Sequence, residues 1–188
     1  PWSSNLQAGG GTVRIDGDDA VSPTRSAKMN APTSAQAYLR RMETGEVRAA
    51  TLGFWLKTSR PTANEAIITR VGLFTGAPGA RVWLSVGTTG MTFLEARYDG
   101  SSDRDEVRRE LPQGTLREGA WQRWTITLDA QATPARARVE VDGTVALDVP
   151  LSTAFVPGNL IADLGVVYNG APASIEARVD DAALTAIR

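Results

Sequence analysis

The sequence predicts an all-β protein, a sandwich of two antiparallel sheets, and three observations carry that reading. Apolar residues recur at every second position in segment after segment. Glycine, proline, asparagine or aspartate breaks these runs at intervals of roughly ten residues, the spacing of short strands joined by turns. Asp142-Gly143 stands between two β-rich runs, a strong hairpin signal because its turn needs the positive φ angles these residues tolerate.

Taken in order, the segments run over 12–16, 26–31, 35–42, 47–58, 65–74, 81–87, 91–98, 121–129, 136–142, 144–149, 160–168 and 173–185. Twelve such segments exceed a small immunoglobulin-like unit. The break after 65–74 is "TGAPGA" at 75–80, and that after 160–168 is "YNGAPA" at 168–173. The stretch "SSDRDEVRREL" at 101–111 is open between strand or loop and a short helix capped by Ser102 or Asp103. Trp124, Ile126 and Leu128 share one strand face, and Val139 and Val141 repeat the pattern after a polar loop, so these five belong to the core and Trp121 joins them. No fixed repeat, low-complexity tract or linker divides residues 1–188, which read as one domain.

Twenty basic residues against twenty-one acidic ones leave a net charge of -1 with no block of like charge, so nothing draws the chain toward nucleic acid or an anionic membrane. "RR" at 40–41 and at 108–109 reads as solvated strand face. No run approaches the ~18 apolar residues of a membrane span. Without cysteine there is no disulfide or thiolate site, and without histidine the usual general base and the His-based zinc sites are missing.

The chain resembles the concanavalin A-like lectin/glucanase superfamily, especially its laminin-G-like members. The resemblance rests on Gly119-x-Trp121 opening an alternating strand and on Val141-Asp142-Gly143 closing the next, with "SPTRSAKMNA" at 22–31, "LGFWLKTS" at 52–59 and "ARVDDAALTAI" at 177–187 in agreement. It implies a jelly roll of two curved antiparallel sheets, with a concave face that receives carbohydrate in many relatives. It also implies a secreted or cell-surface setting, here read as bacterial.

Candidate chemistry follows from these residues. Glu140-Val-Asp142 is similar to the acidic signature of laminarinase-like glucanases, but the second Glu is missing where a retaining hydrolase needs its partner carboxylate. Tyr38, Tyr98 and Tyr168 are the available bases for a polysaccharide lyase of the same superfamily. Trp83 and Trp55 fall out of phase with their apolar neighbours, so each reads either as a core residue of a strand buried on both sides or as a sugar-stacking platform on the other face. Asp18, Asp19 and Asp181, at opposite ends of the chain, read either as a structural calcium site or as turns and solvated strand ends. Three functions stand against one another: a non-catalytic carbohydrate-binding module whose partner is an oligosaccharide or polysaccharide, a structural or adhesive domain that binds a cell-surface protein, and a polysaccharide lyase or glycoside hydrolase.

Overall fold

The computed structural model describes residues 2, 4–22, 25–74, 79–98, 103–152 and 155–188. The expected turn at 75–78 and the cap at Ser102 lie outside them. The described residues form fourteen strands: β1 (Ser4–Ala8), β2 (Thr12–Asp16), β3 (Ser26–Ala31), β4 (Gln36–Val47), β5 (Ala49–Thr58), β6 (Glu65–Phe74), β7 (Gly79–Gly87), β8 (Met91–Tyr98), β9 (Asp103–Glu110), β10 (Gln122–Asp129), β11 (Arg136–Val141), β12 (Thr144–Pro150), β13 (Gly158–Asn169) and β14 (Ile175–Ile187). They build two seven-stranded antiparallel sheets packed as a sandwich, the first in the order β1-β4-β13-β6-β7-β8-β9 and the second in the order β12-β11-β10-β5-β14-β3-β2.

Alternation decides which side chains lie between the sheets. Along β10 every second residue is buried, so Trp124, Ile126 and Leu128 face inward and meet Val139 and Val141 of β11 in the main core. Phe54, directly opposite Trp124 on β5, is buried with it. Asp142 and Gly143, both at positive φ, join β11 to β12 in the expected two-residue turn. Trp121 departs from its expected core position: it precedes β10, is only half-buried, and donates its indole N–H to Asp19 at 2.8 Å.

Two strands escape the sequence pattern. β1 is short and mostly polar, and it pairs only with β4 at the sheet edge. β9 resolves the open reading of 101–111: Asp103–Glu110 is a charged strand closing the other edge of the same sheet. Charged side chains on an edge strand hinder pairing with other chains.

Candidate functional site

The outward face of the first sheet differs from an ordinary solvated face. Cross-strand register sets Arg40 of β4 opposite Asp163 of β13, Asp163 opposite Arg70 of β6, Arg70 opposite Trp83 of β7, Trp83 opposite Leu94 of β8, and Leu94 opposite Arg108 of β9. One continuous row therefore crosses six strands. Its charged end is Arg40, Asp163 and Arg70, and its apolar middle is Trp83 and Leu94.

Asp163 is fully enclosed, with 0% exposure, between two guanidiniums. Arg40 donates Nε to Oδ1 at 2.6 Å and Nη2 to Oδ2 at 3.0 Å, the two-pronged geometry that suits a carboxylate. Arg70 donates Nε to Oδ2 at 2.8 Å, and its Nη2 reaches the same oxygen. The hydrogen bond to Asp163 holds the Arg40 guanidinium above the usual arginine range. Arg40 also lies over the ring of Tyr38, 5.5 Å from its centroid, and donates Nη2 to the Tyr38 hydroxyl at 3.3 Å.

Two irregularities in adjacent strands aim this row. In β6 the register shifts between Ile67 and Thr69, and in β13 it shifts between Leu164 and Tyr168. Thr69 turns inward, where its hydroxyl donates to the Asp163 carbonyl at 2.8 Å, while Arg70 and Ile67 remain on the outward face. Gly165 sits in the β13 irregularity at a φ of 124°, a conformation side chains rarely adopt. Beyond it Tyr168, opposite Ile67, emerges on the same outward face and is 42% exposed. Bulges of this kind re-aim side chains beside functional sites.

Toward the β9 edge, Trp83, Leu94 and Ala96 form a second small apolar cluster with Ile67, separate from the main core. The Ser85 hydroxyl beside it is buried with no hydrogen-bond partner among the described residues. Arg108 on β9 reaches Glu65 on β6 with Nη1 at 3.1 Å and Nη2 at 2.6 Å, so this ion pair passes over β7 and β8. The bond to Glu65 raises the Arg108 pKa. Side chains lying across the face thus account for the burial of Trp83 in a sheet that carries no further layer among the described residues.

The residues singled out from sequence are placed as follows. Trp83 does face away from the main core, as its phase requires, but at 5% exposure it is packed and is not an open platform. Trp55 is half-buried on the outward face of the second sheet, where it pairs with Arg123 and Asp180, so the two tryptophans lie on opposite sides of the sandwich. The structure does not gather Asp18, Asp19 and Asp181. Asp19 meets Lys57 at 2.7 Å, Arg178 at 3.1 Å and the Trp121 N–H, and the Lys57 hydrogen bond leads in lowering its pKa. Asp18 is exposed, and Asp181 lies 3.7 Å from Arg123. Among the described residues no group of three or more acidic side chains is arranged to hold a metal ion. Glu140 pairs with Arg138, and Asp142 pairs with Arg117 and accepts the Arg123 backbone N–H. The Tyr98 side chain lies outside the described residues.

Sequence reasoning read Arg40 as solvated strand face, whereas it is bound to buried Asp163, and it passed over Arg70 and Asp163. The available signal was Asp163 itself, a lone carboxylate in the apolar run "LIADLGVV" at 160–167. A charge in a strand buried on both sides needs a partner, because an unpaired buried charge is costly.

No family model matches the chain, and no curated protein matches it. Solved structures do. The endo-beta-1,4-glucuronan lyase from the fungus Trichoderma reesei superimposes with a TM-score of 0.74 at 14% identity, over 99% of this chain and 91% of that one. The alginate lyase AlyC3 gives 0.60 at 12% identity, over 87% and 75%. The carbohydrate recognition domain of Emp46p gives 0.52 at 10% identity, over 90% and 86%. At these identities the likeness is one of fold.

Proposed function

Because the chain has the concanavalin A-like lectin/glucanase fold, shared by polysaccharide lyases and lectins, we propose that it is a non-catalytic carbohydrate-binding domain. Its ligand is a polysaccharide, lying along the outward face of the first sheet. The observation that carries this reading is the Arg40-Asp163-Arg70 row with exposed Tyr168 on the same open face. Tyr168 offers a ring for the apolar face of a sugar, and the arginines offer donors held in fixed directions. Trp83 stiffens the floor from beneath and makes no stacking contact. A polysaccharide ligand fits a secreted or cell-surface protein.

The absence of turnover is supported by the state of the carboxylates. Asp163 is enclosed by two arginines and Glu65 is paired with Arg108, so neither is available as a hydrolytic acid or nucleophile. One observation favours a lyase as the second reading: Tyr38 and Tyr168 share the face with Arg70. A lyase needs a base beside a neutralised uronate, but the Tyr38 hydroxyl accepts a hydrogen bond from Arg40 and its side chain is buried.

Isothermal titration of a polysaccharide panel tests the proposal. Saturable binding that Tyr168→Ala weakens severalfold, with an unchanged melting temperature, supports it. Failure of every chain to bind overturns it, and growth of unsaturated-uronate absorbance would establish the lyase reading instead.

A further inference from the structure

Resting on that reading of the first sheet, we propose that the Arg108-Glu65 ion pair is a displaceable cover: it closes a subsite floored by Ser85, and an uncharged sugar unit of the bound chain opens it. Register fixes what lies beneath the pair. Tyr168 stands opposite Ile67, Ile67 opposite Ser85, Ser85 opposite Thr92 and Thr92 opposite Glu110, a second outward row from β13 to β9. Arg108 starts from the row on one side, opposite Leu94, and Glu65 from the other side, opposite Gly87, so the pair crosses the Ser85 row. Ser85 is fully buried there, and its hydroxyl has no hydrogen-bond partner among the described residues. It stands two strand spacings from Tyr168, roughly 10 Å, within reach of the units that adjoin a sugar resting on the Tyr168 ring.

The closed arrangement is held weakly and leaves a polar group unsatisfied. A buried hydroxyl without a partner is unfavourable, and native proteins seldom keep one. The side chains of Arg108 and Glu65 above it are 50% and 35% exposed, a setting in which an ion pair adds little and salt screens it. Arg108 also has carboxylates to fall back on, since Glu106 and Glu110 of its own strand act on it electrostatically together with Glu65. Opening therefore keeps Arg108 among counter-charges and uncovers a hydroxyl that both donates and accepts, as a sugar hydroxyl does. Ligand meets Ser85 only in the open arrangement, and that difference in contacts is what shifts the equilibrium. The surroundings select an uncharged unit. Ile67, Ser85, Thr92 and Leu94 carry no charge, and a carboxylate placed over them would stand near Glu65, Glu106 and Glu110, which already share Arg108.

The test is isothermal titration of the full chain with the uncharged hexamers cellohexaose, mannohexaose and laminarihexaose. Arg108→Gln and Glu65→Gln are each expected to tighten binding of at least one hexamer by about two- to fivefold, because the apparent affinity of a covered site is reduced by the fraction of molecules in which it is closed. The double variant should gain no more than either single one, since both remove the same contact. Ser85→Ala should weaken the same hexamer severalfold and abolish the gain that Arg108→Gln gives. Its melting temperature should be unchanged or higher, because only an unpaired hydroxyl is lost, and this separates a ligand contact from a structural role. Equal or weaker binding by either pair variant, or a Ser85→Ala chain that binds as the unaltered one does, would overturn the proposal. Binding of acidic chains alone would overturn it while leaving the reading of the face intact. Failure of every chain of the panel would overturn both.

Discussion

Arg70 and Asp163 stand directly opposite each other on neighbouring strands, and Arg70 turns two of its three guanidinium nitrogens onto one oxygen of a carboxylate that no solvent reaches. With Arg40 on the other side, the pair is part of a rigid unit on an open sheet face. Removing the carboxylate would leave two guanidiniums, each about a quarter exposed, facing one another. Asp163→Ala should therefore cost about 2 to 4 kcal/mol in chemical denaturation, below the value for a fully buried pair because the arginines keep some water. A loss under about 0.5 kcal/mol would mean that the row does not hold the face together.

The tryptophans separate by packing. Trp124, at 0% exposure in the main core, should lose about 3 to 5 kcal/mol on truncation to alanine. Trp83→Ala should approach that figure, about 3 kcal/mol, through the cavity left beside Leu94 and Ala96. Half-buried Trp55 should cost about 1 kcal/mol. Denaturant midpoints of the three variants give the order, and a Trp83 variant as mild as the Trp55 one would contradict the packed position.

Gly165 is required by its surroundings. An added Cβ would meet the Met29 Sδ at 2.6 Å and the Ala37 carbonyl oxygen at 2.8 Å, and the φ of 124° is itself unfavourable for alanine. The methionine end can shift, but the carbonyl belongs to a paired strand. Gly165→Ala should lower stability by about 2 kcal/mol or more. An unchanged melting curve would show that the β13 irregularity can relax.

Acid should unfold the protein through a small set of carboxylates. The Lys57 hydrogen bond, followed by that of Trp121, holds Asp19 below the usual carboxylate range. At Asp180 burial works upward, but the N–H groups of Ser22, Val21 and Asp181 and the Ser22 hydroxyl outweigh it and lower the pKa. A carboxylate whose folded pKa lies below its unfolded value, about 3.9 for Asp, stabilises the fold above that value, and this contribution is lost as pH falls through the folded pKa. The melting temperature should be nearly level above about pH 5 and decline below about pH 4. Asp180→Asn should make that acid decline shallower; an identical slope would remove Asp180 from the account.

Where side chains alternate between water and core, the architecture could be read directly. The β10 to β12 region is the clearest case, since Trp124, Ile126 and Leu128 lie inside and Asp142-Gly143 makes the turn. β1 and β9 were harder to read because each is an edge strand of mostly polar or charged residues, so little apolar alternation marks it. Trp83 was legible in direction but not in exposure. Its phase places it on the outward face, whereas its burial depends on Ile67, Leu94 and Ala96 from two neighbouring strands. The Arg40-Asp163-Arg70 row was illegible because its two contacts span 123 and 93 positions along the chain and form only through sheet register.

The central claim is that polysaccharide lies on the outward face of the first sheet, and backbone amide shift mapping during titration with oligosaccharides of the polysaccharide panel tests it most directly. The account predicts that perturbed amides cluster on β4, β13, β6 and β7, around Arg40, Asp163, Arg70, Trp83 and Tyr168. Perturbations gathered on the second sheet around Trp55, or none at saturating ligand, would contradict it.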